Sequence, residues 1–227
     1  MSQAQVHKFI NQQACNEALT QELASCIMQA FTTQAKVSVI LPGGSTPGGL
    51  LQLLSQEDMR WSDLQVSPTD ERWVAADSEY SNSKMLAQAL PQAQLLDPRL
   101  ADSAEASSVA WAAVMQKHLP VAATLLGMGG DGHIASLFPG MPGLATALQL
   151  CEEPSALVGL APDEPEVRLS LNLSMLCATQ WLGLLVFGEE KWQMLERVLA
   201  HDPTTQALPI YQLLWHAPQP IHIYWAP

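Results

Sequence analysis

Short apolar runs alternate along the chain with segments whose apolar residues recur at helical spacing, and this alternation constrains the fold more than any other feature. Seven runs are predicted to be strands: residues 37–41, 64–67, 121–126, 156–160, 167–171, 181–187 and 221–225. Helices are predicted over residues 12–31, 104–118, 189–199 and 210–215, and two more begin near Pro47 and after Asn82. This order favours an α/β fold in which a largely parallel sheet is covered by helices on both faces.

Composition limits the classes of partner. Hydrophobic residues make up 48% of the 227 residues and charged residues only 14%, which allows a substantial core. No internal repeat or low-complexity linker divides the chain, so we expect a single domain over residues 1–227. The net charge of −12, from 22 acidic and 10 basic residues with no basic cluster, argues against a nucleic-acid or membrane partner. The sequence leaves the oligomeric state open.

Targeting signals and cysteine spacing bear on the compartment. Residues 1–13 lack the apolar core of a signal peptide, and no run of 18 apolar residues occurs. The four cysteines, at positions 15, 26, 151 and 177, show no C-x-x-C spacing of the kind found in zinc or redox sites. We therefore expect a cytoplasmic protein without a metal site.

A glycine-rich segment, residues 127–140, follows the predicted strand 121–126. It carries Asp131 and His133, and ligands of open α/β sheets bind at the carboxyl ends of strands. A histidine titrates near neutrality, and a carboxylate two residues away can orient it as a general base. Taken alone, the same pattern also fits an ordinary strand-to-helix turn with a surface histidine.

A second loop, between a predicted strand and a helix, contains Gly43, Gly44, Ser45 and Thr46. Its backbone amides and the adjoining helix start can bind a phosphate, and the two hydroxyls add donors. The loop lacks the Gly-Lys-Ser/Thr ending of a Walker A motif. The alternative is that Ser45 or Thr46 only caps the helix.

Charged residues cluster after the next strand, in a chain that has few of them. Arg72 is a candidate phosphate or sugar ligand, and Asp70 or Glu71 is a candidate for orienting sugar hydroxyls. Arg168, at the start of a predicted strand, and Lys191, in the first turn of a predicted helix, are further candidates. A solvated loop and surface salt bridges are the alternative interpretation.

Together these segments resemble the 6-phosphogluconolactonases, a family related to the glucosamine-6-phosphate deaminases. The matching segments are residues 41–51 (LPGGSTPGGLL), 69–86 (TDERWVAADSEYSNSKML), 125–140 (LLGMGGDGHIASLFPG), 167–176 (VRLSLNLSML) and 187–192 (FGEEKW). The resemblance implies a Rossmann-like fold of the deaminase/ribose-phosphate isomerase type. It also implies hydrolysis of 6-phosphoglucono-δ-lactone to 6-phosphogluconate, in the oxidative pentose phosphate pathway, without a metal or cofactor.

The resemblance also assigns residue roles. His133 is implied as the general base that activates water, and Asp131 as the support for His133 or the sugar. The phosphate or the nearby sugar would be bound by Gly44, Ser45, Thr46, Arg72, Arg168 and Lys191, with Gly43 beside them. We expect backbone amides of residues 127–133 to stabilise the oxyanion.

Two other functions are weighed against the lactonase. The resemblance implies that in deaminases the shared Asp-Gly-His is followed by a Phe-Asn-Glu run, and that the glutamate of this run assists the histidine. Here residues 136–139 read Ser-Leu-Phe-Pro, with Phe138 fifth after His133 and no carboxylate, which argues against ring-opening deamination. The other alternative is a non-catalytic protein that binds phosphosugars.

Overall fold

The computed structural model describes residues 4–227. Its strands are β1 (Ala4–Lys8), β2 (Val37–Leu41), β3 (Leu64–Pro68), β4 (Asp70–Arg72), β5 (Gln94–Leu95), β6 (Val121–Gly127), β7 (Ala156–Leu160), β8 (Val167–Leu171), β9 (Thr179–Phe187) and β10 (Ile221–Ala226). Its α-helices are α1 (Gln12–Phe31), α2 (Gly48–Leu54), α3 (Asn82–Ala89), α4 (Ala104–Gln116), α5 (Leu144–Ala147), α6 (Leu173–Cys177), α7 (Glu189–Leu199) and α8 (Pro209–His216). Short 3₁₀ turns lie at Trp61–Asp63 and Pro203–Thr205. None of the helices in this part of the chain is long and apolar enough to cross a bilayer.

Seven strands form one parallel sheet in the order β1-β10-β9-β6-β2-β3-β5. From β2 the chain proceeds outward to β3 and β5, and from β6 it proceeds the other way to β9 and β10. The strand order therefore reverses between β2 and β6, and the loops that follow these two strands flank a crevice. In open α/β sheets such a crevice is the usual ligand site.

Helices cover both faces of this sheet, as the alternation of elements predicts. Helix α1 contributes Leu19, Leu23 and Ile27 to the core on one face, and α4 contributes Trp111 and Met115 to the core on the other. Side chains of β2 alternate between the two cores. The expected α/β architecture is thus confirmed.

Residues 156–160 and 167–171 are strands as predicted, but they lie outside the parallel sheet. Strands β7 and β8 form a separate antiparallel sheet with β4, in the order β4-β8-β7. The connection over residues 161–166 is far too short for a parallel crossover, which needs about a dozen residues, so β8 turns straight back along β7. The expectation that the charged residues after the strand 64–67 lie in a loop is corrected as well, because Asp70–Arg72 is a strand paired with β8.

Candidate active site

A cavity of about 280 Å³ opens in the crevice at the carboxyl ends of β2 and β6. Most of the predicted site residues line it: Gly43, Gly44, Ser45, Thr46, Asp70, Arg72, His133 and Lys191. Asp131 and Arg168 are not among the lining residues, but Asp131 is hydrogen-bonded to His133, and Arg168 is opposite Arg72 in the pairing of β8 with β4. Separate segments of the chain therefore converge on one cavity.

Asp131 fixes the orientation of His133. Its Oδ1 lies 2.6 Å from Nδ1 of the imidazole, and the backbone N–H of His133 donates to the same oxygen at 3.1 Å. The hydrogen bond from His133 is the main reason that the pKa of Asp131 lies below its ordinary value. An ionised Asp131 accepts a hydrogen bond and cannot donate one, so it favours the tautomer with hydrogen on Nδ1. The lone pair of His133 is then on Nε2, where a base needs it.

Glycines shape the loop that carries this pair. The His133 ring lies so close to Gly129 that a Cβ at that position would be 2.1 Å from Cε1 and 2.2 Å from Nδ1. Gly129 also donates its N–H to the carbonyl of His133 at 3.0 Å, and Gly132 donates to the carbonyl of Gly129 at 3.1 Å. The N–H groups of Gly129, Gly132 and His133 are therefore already hydrogen-bonded within the loop. The oxyanion donors expected in residues 127–133 would have to be the remaining N–H groups of that range.

The loop after β2 leaves its donors free. The backbone N–H groups of Gly44, Ser45 and Thr46 have no acceptor among residues 4–227. Gly44 adopts a φ of +84°, a conformation that disfavours any side chain at this position. Pro47 is the N-cap of α2, and no side chain in the described part of the chain caps that helix. The alternative that Ser45 or Thr46 merely caps the helix is therefore wrong.

Of the three consecutive charged residues, two face the cavity and one does not. Asp70 and Arg72 line it, and the Arg72 guanidinium donates to the carbonyl of Tyr80 at 2.8 Å. Glu71 is fully buried, accepts the N–H groups of Arg72 and Asn82 at 2.8 and 2.7 Å, and lies 3.4 Å from Arg99. Glu71 therefore ties β4 to the start of α3, so the suggestion that Glu71 orients sugar hydroxyls does not fit this structure.

Arg168 is buried directly opposite Arg72 in the register of β4 and β8. Only 7% of Arg168 is exposed, and its Nε and Nη1 atoms have no hydrogen-bond acceptor in the described part of the chain. Burial lowers the pKa of the Arg168 guanidinium, and the positive charge of Arg72 lowers it further. A buried cation with unused donors is costly unless an anion binds nearby.

Lys191 supplies a third positive charge, in the first turn of α7 just after Gly188. Within residues 4–227, no carboxylate lies within 4 Å of the charged nitrogens of Lys191, Arg72 or Arg168. The surface salt bridges of the alternative interpretation are therefore absent at these three residues. Arg72 and Lys191 therefore bring positive charge to the cavity lining of a strongly acidic protein.

Asn82 is a cavity residue that the sequence patterns did not single out. Its Nδ2 donates to the backbone carbonyl of Asp70 at 2.8 Å, and its Oδ1 would lie 2.0 Å from a Cβ at Gly43. The signal for Asn82 was its place at the start of α3, the helix that follows the charged residues 70–72. Thr69, Ala135 and Leu185 also line the cavity and were not predicted to do so.

The sequence matches a known protein family over most of its length. Residues 10–224 match the profile of the family described as glucosamine-6-phosphate isomerases/6-phosphogluconolactonase. The chain belongs to this family. A protein from Pseudomonas putida named 6-phosphogluconolactonase is 32% identical over 98% of this chain and 93% of its own length. One of the same name from Rhizobium meliloti is 31% identical over 99% of each chain.

Solved structures of family members share the fold. A 6-phosphogluconolactonase from Shewanella baltica superposes with a TM-score of 0.90 at 29% identity, covering 98% of this chain and 97% of that one. A monomeric glucosamine-6-phosphate deaminase superposes with a TM-score of 0.80 at 15% identity, covering 98% and 97%. The expected deaminase-like fold is therefore confirmed, and the two activities share one scaffold.

Proposed function

We propose that this protein hydrolyses 6-phosphoglucono-δ-lactone to 6-phosphogluconate, with His133 as the general base. The observation that carries the proposal is that the Asp131–His133 pair shares a cavity with Arg72 and Lys191, neither of which forms an ion pair within residues 4–227. Relatives named 6-phosphogluconolactonase align with almost the whole chain. The reaction belongs to the oxidative pentose phosphate pathway, and we further propose that the enzyme acts in the cytoplasm as a single domain.

The chemistry needs one water and one base. His133 takes a proton through Nε2 from a water molecule as that water attacks the lactone carbonyl, which gives a tetrahedral oxyanion. The bond from the carbonyl carbon to the ring oxygen then breaks, and the ring oxygen receives the proton from His133. At neutral pH the acid product ionises and releases a proton. A positioned general base contributes about 10²–10⁴-fold to the rate.

The cations hold the other end of the substrate. Arg72, Arg168 and Lys191 bind the phosphate, together with the free amides of the loop after β2. The fork of an arginine matches two phosphate oxygens at once. Fixing the phosphate places the lactone carbonyl against His133, so that binding energy at one end aligns the reacting atoms at the other.

Lactone hydrolysis by the purified protein tests the proposal. The substrate is made from glucose 6-phosphate, and its loss is followed above the spontaneous rate. His133→Ala is expected to lower kcat by roughly 10²–10⁴-fold while the unfolding midpoint stays close to that of the wild type. Wild-type turnover in the folded variant would remove His133 from the mechanism. Binding of 6-phosphogluconate without any hydrolysis would instead support the non-catalytic alternative.

Ring-opening deamination is disfavoured by the two side chains next to the His133 imidazole. The aromatic ring of Phe138 is centred 4.5 Å from the imidazole, and the carboxylate hydrogen-bonded to that imidazole is Asp131. We therefore expect no release of ammonia from glucosamine 6-phosphate.

A further inference from the structure

Ser136 connects the catalytic loop to every strand of the small antiparallel sheet. Its hydroxyl donates to Oδ2 of Asp70 on β4 at 2.5 Å, and its N–H donates to Oγ of Ser170 on β8 at 3.2 Å. Its carbonyl oxygen would be 2.8 Å from a Cβ at Gly159 on β7, an approach that only glycine allows. Ser136 is 1% exposed and lies three residues after His133, so the loop of the base is anchored here.

Asp70 is oriented by hydroxyl groups on both of its carboxylate oxygens. Thr69 Oγ1 donates to Oδ1 at 2.8 Å, and Ser136 Oγ donates to Oδ2. No cationic nitrogen lies within 4 Å of this carboxylate in the described residues, so its charge is not neutralised by an ion pair. Each oxygen of a carboxylate can accept more than one hydrogen bond, which leaves acceptor capacity at the cavity.

We propose that Ser136 is a positioning residue for substrate binding. Its hydroxyl holds Asp70 so that the remaining lone pairs accept a hydroxyl group of the bound phosphosugar lactone. Since the phosphate is held by cations, this second contact fixes the rotation of the sugar about the phosphate and presents the carbonyl to His133. The inference rests on the proposed function and adds a residue that does not itself line the cavity.

Ser136→Ala tests the proposal by separating KM from kcat. The variant is expected to raise KM for the lactone roughly tenfold and to change kcat much less, because an oriented acceptor is lost while the base remains. Ser136→Thr retains the donor and is expected to recover most of the lost affinity. Ser174→Ala is the matched control, since this buried serine donates to the carbonyl of Gln149 at 2.9 Å, away from the cavity. It is expected to keep the wild-type KM.

A double-mutant cycle shows whether Ser136 acts through Asp70. In an Asp70→Ala background, Ser136→Ala is expected to raise KM no further, because no acceptor remains at position 70 for the Ser136 hydroxyl to orient. Additive effects on KM, or a wild-type KM in Ser136→Ala, would overturn the inference. A wild-type protein that fails to hydrolyse the lactone overturns the proposed function instead. In that case the double-mutant cycle is measured with the Kd of 6-phosphogluconate, and additive effects of the two substitutions on this Kd would overturn the role of Ser136.

Discussion

Oδ1 of Asp131 accepts two hydrogen bonds from one residue, one from the imidazole of His133 and one from its backbone N–H. Asp131→Asn replaces this acceptor with an amide that can instead donate to Nδ1 and stabilise the unproductive tautomer. We expect kcat to fall roughly 10- to 100-fold, a part of what a positioned base supplies, with KM little changed. Steady-state kinetics measure both constants, and Asp102→Asn, an exposed carboxylate elsewhere, serves as the control.

The same carboxylate predicts a pH dependence of stability. The pKa of Asp131 is lowered in the folded protein, first by its hydrogen bond with His133. A lowered folded-state pKa contributes stability above the unfolded value, about 4, and that contribution disappears as pH falls through the folded value. The free energy of unfolding of the wild type is thus expected to approach that of Asp131→Asn below about pH 4. Urea unfolding across a pH series measures the gap, and a gap that widens on acidification contradicts this account.

Gly129→Ala is expected to reduce catalysis far more than stability. The new methyl group would collide with the imidazole of His133, which lies at the cavity and can turn away without disturbing the core. We expect kcat to fall at least about tenfold and the free energy of unfolding to fall by only about 1 kcal/mol. Gly48→Ala makes the same change where a Cβ would meet no atom of residues 4–227 within 4 Å beyond its own helix and chain neighbours, and it is expected to retain wild-type kinetics. Equal kcat values in the two variants would show that the ring is not held against Gly129.

Arg168→Met is expected to separate stability from binding. Removing a buried cation whose Nε and Nη1 have no acceptor among the described residues should leave the free energy of unfolding unchanged or raise it. The loss of a phosphate ligand should raise KM at least about tenfold. Chemical denaturation and kinetics measure the two effects. Arg60→Met, which breaks a surface ion pair with Asp63, is the control for KM. An unchanged KM in Arg168→Met would place the phosphate elsewhere.

Local signals in the sequence were sufficient for most of the parallel sheet. Helix α1 begins at Gln12 as predicted, and Asn11 caps it by accepting the N–H of Ala14 at 2.8 Å. Strands β2 and β6 are short buried runs that end in glycine-rich loops. Because the carboxyl ends of parallel strands meet at one edge, strand prediction indicates that these loops lie close together, whereas the assignment of their residues to one site rests on the family resemblance.

The small sheet and its contacts could not be predicted in the same way. Strand β8 lies outside the parallel sheet because it pairs with Asp70–Arg72, nearly a hundred residues away. Local strand propensity does not indicate which of two sheets a strand will join. The burial of Glu71 against Arg99 and the bond from Ser136 to Asp70 are also long-range contacts. Such partners are set by packing, whereas residue type alone allows several roles for each carboxylate.

The edge of the large sheet has a consequence for biosynthesis. Strand β1 lies at that edge, and its hydrogen-bonding partner is β10, where Val6 is opposite Ile223. A ribosome makes β1 long before β10, so the emerging chain carries an unpaired strand while the inner strands can already assemble. The order in which this sheet is completed is therefore not the order in which its residues are synthesised.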